Sequence, residues 1–267
     1  TLPKEQCDTC AMPALNLNSL DAALDLLDSR VQGDVVLAAP LGLGKPHRLL
    51  NAIYDAIEQT PQRGLRILTA LSLTPPKPGS DLERRFLAPF LDRHFGPDFP
   101  ALRYALAQRE GRLPRHIRVE EFYLQSGALL GKPQAQQDYA SLNYTHVARA
   151  VARRGINVLV QKVAREPDGT RLSLSCNPDL TFDLLDEIER IGGKRPLMLA
   201  EVHPDLPFLG GAAAVAEDFY DAVLDLPGPA PQLFALPRHP VGDAEYAIGL
   251  YASTLVQDGG TLQIGIG

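Results

Sequence analysis

Basic tracts are missing from this 267-residue sequence, and their absence removes one class of partner at once. With 26 Lys and Arg against 32 Asp and Glu, the formal charge is −6, so no concentrated positive face is on offer to nucleic acid or an anionic membrane. Long apolar runs are missing too. Stretches such as 35–39 and 197–200 fall far short of the roughly 20 residues that cross a bilayer as a helix. The first ten residues have neither a basic start nor an apolar run, so no secretory signal is read there; a cytoplasmic protein is the expectation. Thr1 in place of methionine is read as a sign of processing or of a truncated start.

Cysteine is scarce. Three residues, an odd number in a chain this long, do not make a disulfide framework. Cys7 and Cys10 form a C-x-x-C, but one such pair supplies only half of a tetrahedral site, and no metal is expected. Cys176 has no evident activating neighbour. Several catalytic signatures are also absent: no serine sits in G-x-S-x-G and no H-E-x-x-H occurs. Gly44-Lys45 follows an apolar run, but Ala39 stands five positions earlier and Pro46 replaces the hydroxyl residue a phosphate loop needs for magnesium. The position three after Gly44 holds no glycine, which removes the dinucleotide fingerprint.

What is present is alternation. Residues 18–31 (NSLDAALDLLDSRV) place apolar side chains at helical spacing behind Asn18 or Ser19 as a cap. Residues 34–40 (DVVLAAP) are a short continuous apolar run, the pattern of a strand buried on both faces of a parallel sheet. A helix opening at Pro46 follows, then a second buried run at 65–73, stopped by Pro75, Pro76 and Pro78. Two helices are predicted at 81–94 and 100–112, an excursion from the sheet whose arginines (84, 85, 103, 109, 112 and 115) read as a solvated face. The alternation resumes at 141 with SLNY, a helix at 145–154 and a strand at 156–163. A hairpin turns at Pro167-Asp168-Gly169 into 171–176. A helix at 179–191, a strand at 196–202, a helix at 243–257 and a strand at 261–266 complete the series. The fold class that follows is α/β, a mostly parallel sheet with helices on both faces.

Ligands of such sheets bind beyond the carboxyl ends of strands. That rule selects the loops 41–46, 74–80, 176–179, 203–211 and the chain from 265. Gly42 and Gly44 either permit a tight turn or let a ligand approach backbone N–H groups at a helix start. Glu201 ends a buried run, where a carboxylate needs a partner or a task; His203 follows on the same strand face, so an acid/base pair and a structural hydrogen bond are both open. His146 opens a helix beside Asn143 and Thr145.

Three segments resemble one family. These are GDVVLAAPLGLGKPHRLL (33–50), the stretch 172–210 containing LSLSCNPDLTFDLLDEIER and AEVHPDLPFLG, and AIGLYASTLVQDGGTLQIGIG (247–267). Together, with weaker similarity around 139–146, they are similar to the acetyl-CoA hydrolase and transferase branch of the class I CoA-transferases, the 4-hydroxybutyrate CoA-transferases among them. His203 stands where that family usually has asparagine, and Phe208 follows Pro207 where it usually has arginine. The resemblance implies that residues 1–267 are an amino-terminal α/β lobe with a helical insertion at about 80–114, and that the catalytic lobe lies outside this chain. It implies an enzyme that moves CoA between an acyl-CoA and a carboxylate, or hydrolyses acetyl-CoA, through a glutamyl-CoA thioester on a glutamate beyond residue 267. The substrate is then a coenzyme A thioester with a small carboxylic acid, no cofactor is held permanently, and this chain alone is inactive. Residues implied for substrate or CoA are Gly42, Gly44, Lys45, Asn143, His146, Glu201, Gly265 and Gly267, with the missing lobe and a second copy as partners. The other reading is a non-catalytic CoA- or metabolite-binding module of the same fold.

Overall fold

A computed structural model of the chain describes residues 13–235 and 240–263. They fall into two compact units, one ending at Phe234 and the other beginning at Ala235. Cys7 and Cys10, and Gly265 and Gly267, lie outside the described residues.

The first unit runs β1 (Leu15–Leu17), α1 (Leu20–Arg30), β2 (Val35–Ala38), α2 (His47–Glu58), β3 (Leu65–Thr69), α3 (Asp81–His94), α4 (Arg103–Glu110), β4 (Ile117–Glu121), α5 (Pro133–Asp138), α6 (Tyr144–Ala152), β5 (Val158–Arg165), β6 (Arg171–Ser173), α7 (Thr181–Arg190), β7 (Leu197–Val202), β8 (Ala214–Ala216) and β9 (Ala222–Leu224). Seven of the strands line up in the order β1-β9-β7-β5-β2-β3-β4, every neighbouring pair parallel. The hairpin after β5 adds β6 and β8 as a small antiparallel flap.

Strand side chains alternate between the two faces, and the core divides accordingly. Leu37, Ile67, Val158, Val160 and Leu199 pack with Leu27 of α1, Leu49, Leu50 and Ile53 of α2, and Tyr104 of α4. On the other face Ala38, Leu68, Leu159, Met198 and Ala200 pack with Ala152 of α6 and Leu184 and Ile188 of α7. A fully buried Leu or Ile side chain contributes about 1.5–3 kcal/mol relative to leaving it in water, so both helical layers are held by the same strands. Local chemistry sets the helix ends. Ser19 accepts from Ala22 N at 3.2 Å and caps α1, and Ser80 caps α3 through Glu83 N at 3.2 Å.

Several expectations need correction. Ser141, Leu142 and Asn143 form no strand; they lead directly into α6. Pro46 is the cap of α2, one position before its first helical residue. The stretch at 80–114 connects β3 to its neighbour β4, a strand absent from the sequence reading, as were β1, β8 and β9. In the second unit α8 spans Asp243–Ser253, with the Glu245 carboxylate accepting from Gly242 N at 2.9 Å. Thr261, Leu262 and Gln263 carry no strand, and the rest of that expected strand lies outside the described residues.

Candidate functional site

Strand order reverses between β2 and β5: the chain builds outward through β3 and β4 on one side and through β7 and β9 on the other. A reversal of this kind opens a crevice at the carboxyl ends of the two central strands. Only two residue pairs join β2 to β5, Leu37 with Val158 and Ala38 with Leu159. Beyond them β5 continues through Gln161 and Lys162, while the chain after β2 turns away into the 41–46 loop.

That loop closes against the loop after β6. Leu43 N donates to the Asn177 side chain at 3.0 Å and Leu41 N to Asp179 at 2.9 Å. Gly42 has φ +62°, and a Cβ there would stand 2.9 Å from the Asn177 amide; one on Gly44 would stand 2.7 Å from Gln161 Nε2 and 2.8 Å from the Asn177 carbonyl oxygen. Both glycines are therefore required by close packing, and two N–H groups of this turn are already engaged by side chains. Gln161 ties the arrangement together, donating to Asn177 O at 3.0 Å and accepting from Thr181 Oγ1 at 3.0 Å. The Tyr144 hydroxyl donates to Asp179, which brings the first turn of α6 to the same end of the sheet; Asn143 and His146 flank it and are exposed. Three non-glycine residues, Leu71, Ser175 and Asp179, hold left-handed backbone in these loops. Such conformations cost of order 1 kcal/mol or more each and cluster at ligand sites.

Lys45 is directed inward. Its ammonium donates to Ala70 O at 2.8 Å, and burial lowers its pKa from 10.5 to about 8 against the opposing pull of Glu121 and Asp179. Glu121 is buried as well and accepts from Ser72 N at 2.9 Å and Ser72 Oγ at 2.7 Å, while Ser72 Oγ lies 2.8 Å from the Tyr104 hydroxyl.

Glu201, 1% exposed, accepts from Arg48 Nε at 2.9 Å and from Leu49 N at 3.0 Å. It is the carboxylate that closes the first turn of α2, where a negative charge meets unpaired N–H groups and the positive helix end. His203 does not pair with it. Its Nε2–H donates to Pro231 O at 2.9 Å and its Nδ1 accepts from Asp205 N at 3.2 Å, a neutral ring whose pKa burial lowers. His47 donates through Nδ1 to Lys45 O at 2.9 Å and meets Phe99 edge-on at 5.2 Å. Burial, with Lys162 and Lys45 nearby, holds it well below the ordinary histidine range. Cys176 is exposed, with Sγ 3.8 Å from Asn177 Oδ1.

Two cavities flank the crevice, one on each face of the sheet. The first, about 40 Å³, is lined by Ala38, Leu68, Thr69, Phe122, Leu159 and Asp179 among others; Thr69 Oγ1 is buried there without a hydrogen-bond partner. The second is lined by His47, Arg48, Phe99, Lys162, Glu201, His203 and the 231–234 segment. Lys162 was missed by the sequence reading. Its signal was a lysine inside the apolar run INVLVQKV, where a charge on a buried strand demands an explanation.

No family model matches the chain and no curated protein matches it. Among solved structures, RipA from Yersinia pestis superposes over 94% of this chain and 51% of its own, at 20% identity and a TM-score of 0.58. A variant of RipA covers the same shares at 19% identity and a TM-score of 0.58. A 4-hydroxybutyrate CoA-transferase from Porphyromonas gingivalis is matched at 18% identity and a TM-score of 0.48, over 95% of this chain and 48% of that one. The chain thus spans about half the length of the structures it matches, and it shares the α/β fold of RipA over that half.

Proposed function

We propose that this chain is one lobe of an enzyme that transfers CoA between an acyl-CoA and a small carboxylic acid, or to water. The observation that carries the reading is the crevice at the β2/β5 reversal. It combines a glycine turn, left-handed loop residues and flanking cavities in a fold shared with RipA over half of that protein's length. In this reading the lobe shapes the acyl pocket beside the 41–46 turn, where stabilising the oxyanion usually contributes most to acyl transfer. Asn143 and His146 lie at the rim, and Lys45 and Glu201 hold the loops that form it. The nucleophile is a glutamate of the second lobe. Its carboxylate attacks the thioester carbonyl and expels the CoA thiolate; the thiolate then attacks the glutamyl carbonyl of the mixed anhydride, releasing the free acid and leaving a glutamyl-CoA thioester.

The test incubates this chain, and separately the chain extended by its second lobe, with acetyl-CoA and a series of acids while free CoA and acyl exchange are followed. Turnover and a covalent CoA adduct on a glutamate are expected only with the second lobe. A CoA adduct on any glutamate of residues 1–267, or full turnover by them alone, would overturn the placement of the chemistry. Binding of acetyl-CoA without turnover by the longer protein would favour the non-catalytic module.

A further inference from the structure

At the sheet edge formed by β4, the chain from Tyr123 to Tyr139 shapes a groove of about 480 Å³ beyond the carboxyl end of that strand. Its frame is tied backbone. Leu71 N donates to Tyr123 O at 2.8 Å and Ala140 N to Glu121 O at 3.0 Å, which fastens both ends of the segment to the ends of β3 and β4. Within it Ala128 N donates to Gln125 O at 3.1 Å and Lys132 N to Leu129 O at 3.2 Å. Leu129 and Ala135 are the buried part of the wall. A concave volume of this size falls in the range of small-molecule sites, roughly 300–1,000 Å³, and it lies at the end of the sheet where ligands of α/β folds bind.

The side chains on the wall decide what the groove suits. Tyr123 is 58% exposed, Tyr139 44% and Leu130 77%. Among the described residues neither tyrosine ring meets another ring or a cation, and neither hydroxyl has a hydrogen-bond partner. No Asp, Glu, Lys, Arg or His lines the groove, although 22% of the chain is charged. Its polar side chains are neutral: the amides of Gln125 and Gln136 and the hydroxyl of Ser126. Arg109, which is not part of the wall, donates to Gln125 Oε1 at 3.0 Å. That leaves the Gln125 NH2 as a donor, while Gln136 offers both a donor and an acceptor.

We infer that this groove is a binding site for an uncharged, planar heteroaromatic ring of the nucleobase kind. The two exposed tyrosines supply faces on which such a ring stacks, and the amides supply donors and an acceptor for the polar atoms at its edge. A purely aliphatic ligand would cover those amides without pairing them, which costs binding energy. A phosphate or carboxylate finds no cation on the wall to offset its desolvation. The concave, ligand-sized volume favours a small molecule over a protein face. Strand β3 separates β4 from β2 in the sheet, so the groove is distinct from the crevice at the β2/β5 reversal, and the inference stands whether or not this lobe takes part in acyl transfer.

The experiment titrates the full chain with adenosine, with AMP and with cyclohexanol, a neutral ring without an aromatic face, using calorimetry and saturation-transfer NMR. Saturable binding of adenosine is expected, with the strongest transfer to the protons of the base; AMP should bind no more tightly than adenosine, and cyclohexanol should not bind. Tyr123→Ala and Tyr139→Ala should each weaken adenosine roughly five- to a hundredfold, the loss of one stacking face, while Tyr123→Phe keeps most of the affinity. Both tyrosines are exposed, so the thermal midpoint of each alanine variant should match wild type and show that the fold is intact. Absence of saturable adenosine binding overturns the assignment, as does adenosine affinity unchanged in both alanine variants. AMP bound more than tenfold tighter than adenosine would mean that a cation holds the ligand, and cyclohexanol bound as well as adenosine would mean an unspecific apolar surface; either result overturns the site. Self-association abolished by Tyr139→Ala, without adenosine binding, would reassign the groove to a protein contact.

Discussion

Replacing Lys45 by methionine should change how the stability of this protein depends on pH. The folded-state pKa of Lys45 is about 8 against 10.5 for a free side chain, because the ammonium is buried and the pull of Glu121 and Asp179 only partly offsets that burial. A tenfold change in proton affinity corresponds to about 1.36 kcal/mol, so at pH 7 the protonated lysine carries a penalty of about 3 kcal/mol against folding. The sign follows from proton counts. Between about pH 8 and 10.5 the unfolded chain binds more protons at this position than the folded one, so the unfolding free energy rises with pH. About 2.5 kcal/mol of the penalty is recovered by pH 10. Urea unfolding of wild type and Lys45→Met from pH 7 to pH 10 isolates the contribution of this lysine, because other titrations occur in both proteins. Among these are Tyr54, Tyr104, Tyr144 and Tyr220, all pushed upward by burial. The variant also loses the hydrogen bond to Ala70 O, which offsets its whole curve, so the slopes are compared rather than absolute stabilities. Wild type should gain on Lys45→Met by about 2.5 kcal/mol over that range. Parallel curves would refute this account and mean that Lys45 is solvated or paired in solution.

Gly44→Ala should destabilise the first unit by about 1–3 kcal/mol in urea unfolding, since its Cβ would meet Gln161 Nε2 and Asn177 O inside 3 Å; Gly169→Ala, with φ +78° but open space around it, should cost less, and the reverse order would mean that close packing does not limit position 44. Glu201→Gln retains the shape that caps α2 but strands the part-buried Arg48, and should cost about 3 kcal/mol; an unchanged denaturation midpoint would mean that water replaces the ion pair. Asn157 accepts from Val36 N at 2.8 Å and donates to Asp34 O at 2.9 Å, holding the starts of β2 and β5 together. Asn157→Ala should cost about 2 kcal/mol and speed amide exchange at Val36, and unaltered exchange there would count against that bridge.

Much of this molecule follows from local pattern. The runs DVVLAAP, INVLVQKV and PLMLAEV are long and apolar enough to be strands buried on both faces, and they occupy β2, β5 and β7 at the middle of the sheet. Helices with an apolar stripe and a serine cap, α1 and α3, begin where their caps stand. That much places the 41–46, 176–179 and 203–211 loops near one end of the sheet before any coordinate is known. The short strands are a different matter. LNL in β1, AVA in β8 and AVL in β9 have three residues each, too few for a period, and they are strands only because a neighbour pairs with them, as Leu15 does with Ala222. β4 was hidden by its own chemistry: IRVEE ends in two acids that break the apolar run, yet Glu120 is buried against Arg66 and Arg154 and Glu121 against Ser72. The candidate site shows the same division. Glu201 stood out as a carboxylate in an apolar run, but only the packing of α2 on β7 gives it Arg48 and the Leu49 N–H. Lys162 is buried, and strand order alone places it opposite Glu201, whose carboxylate opposes the lowering of its pKa by burial. Sequence specifies which side chains a strand turns to each face; the balance of charge in the space between strands is set by which strands become neighbours, and that is a property of the tertiary fold.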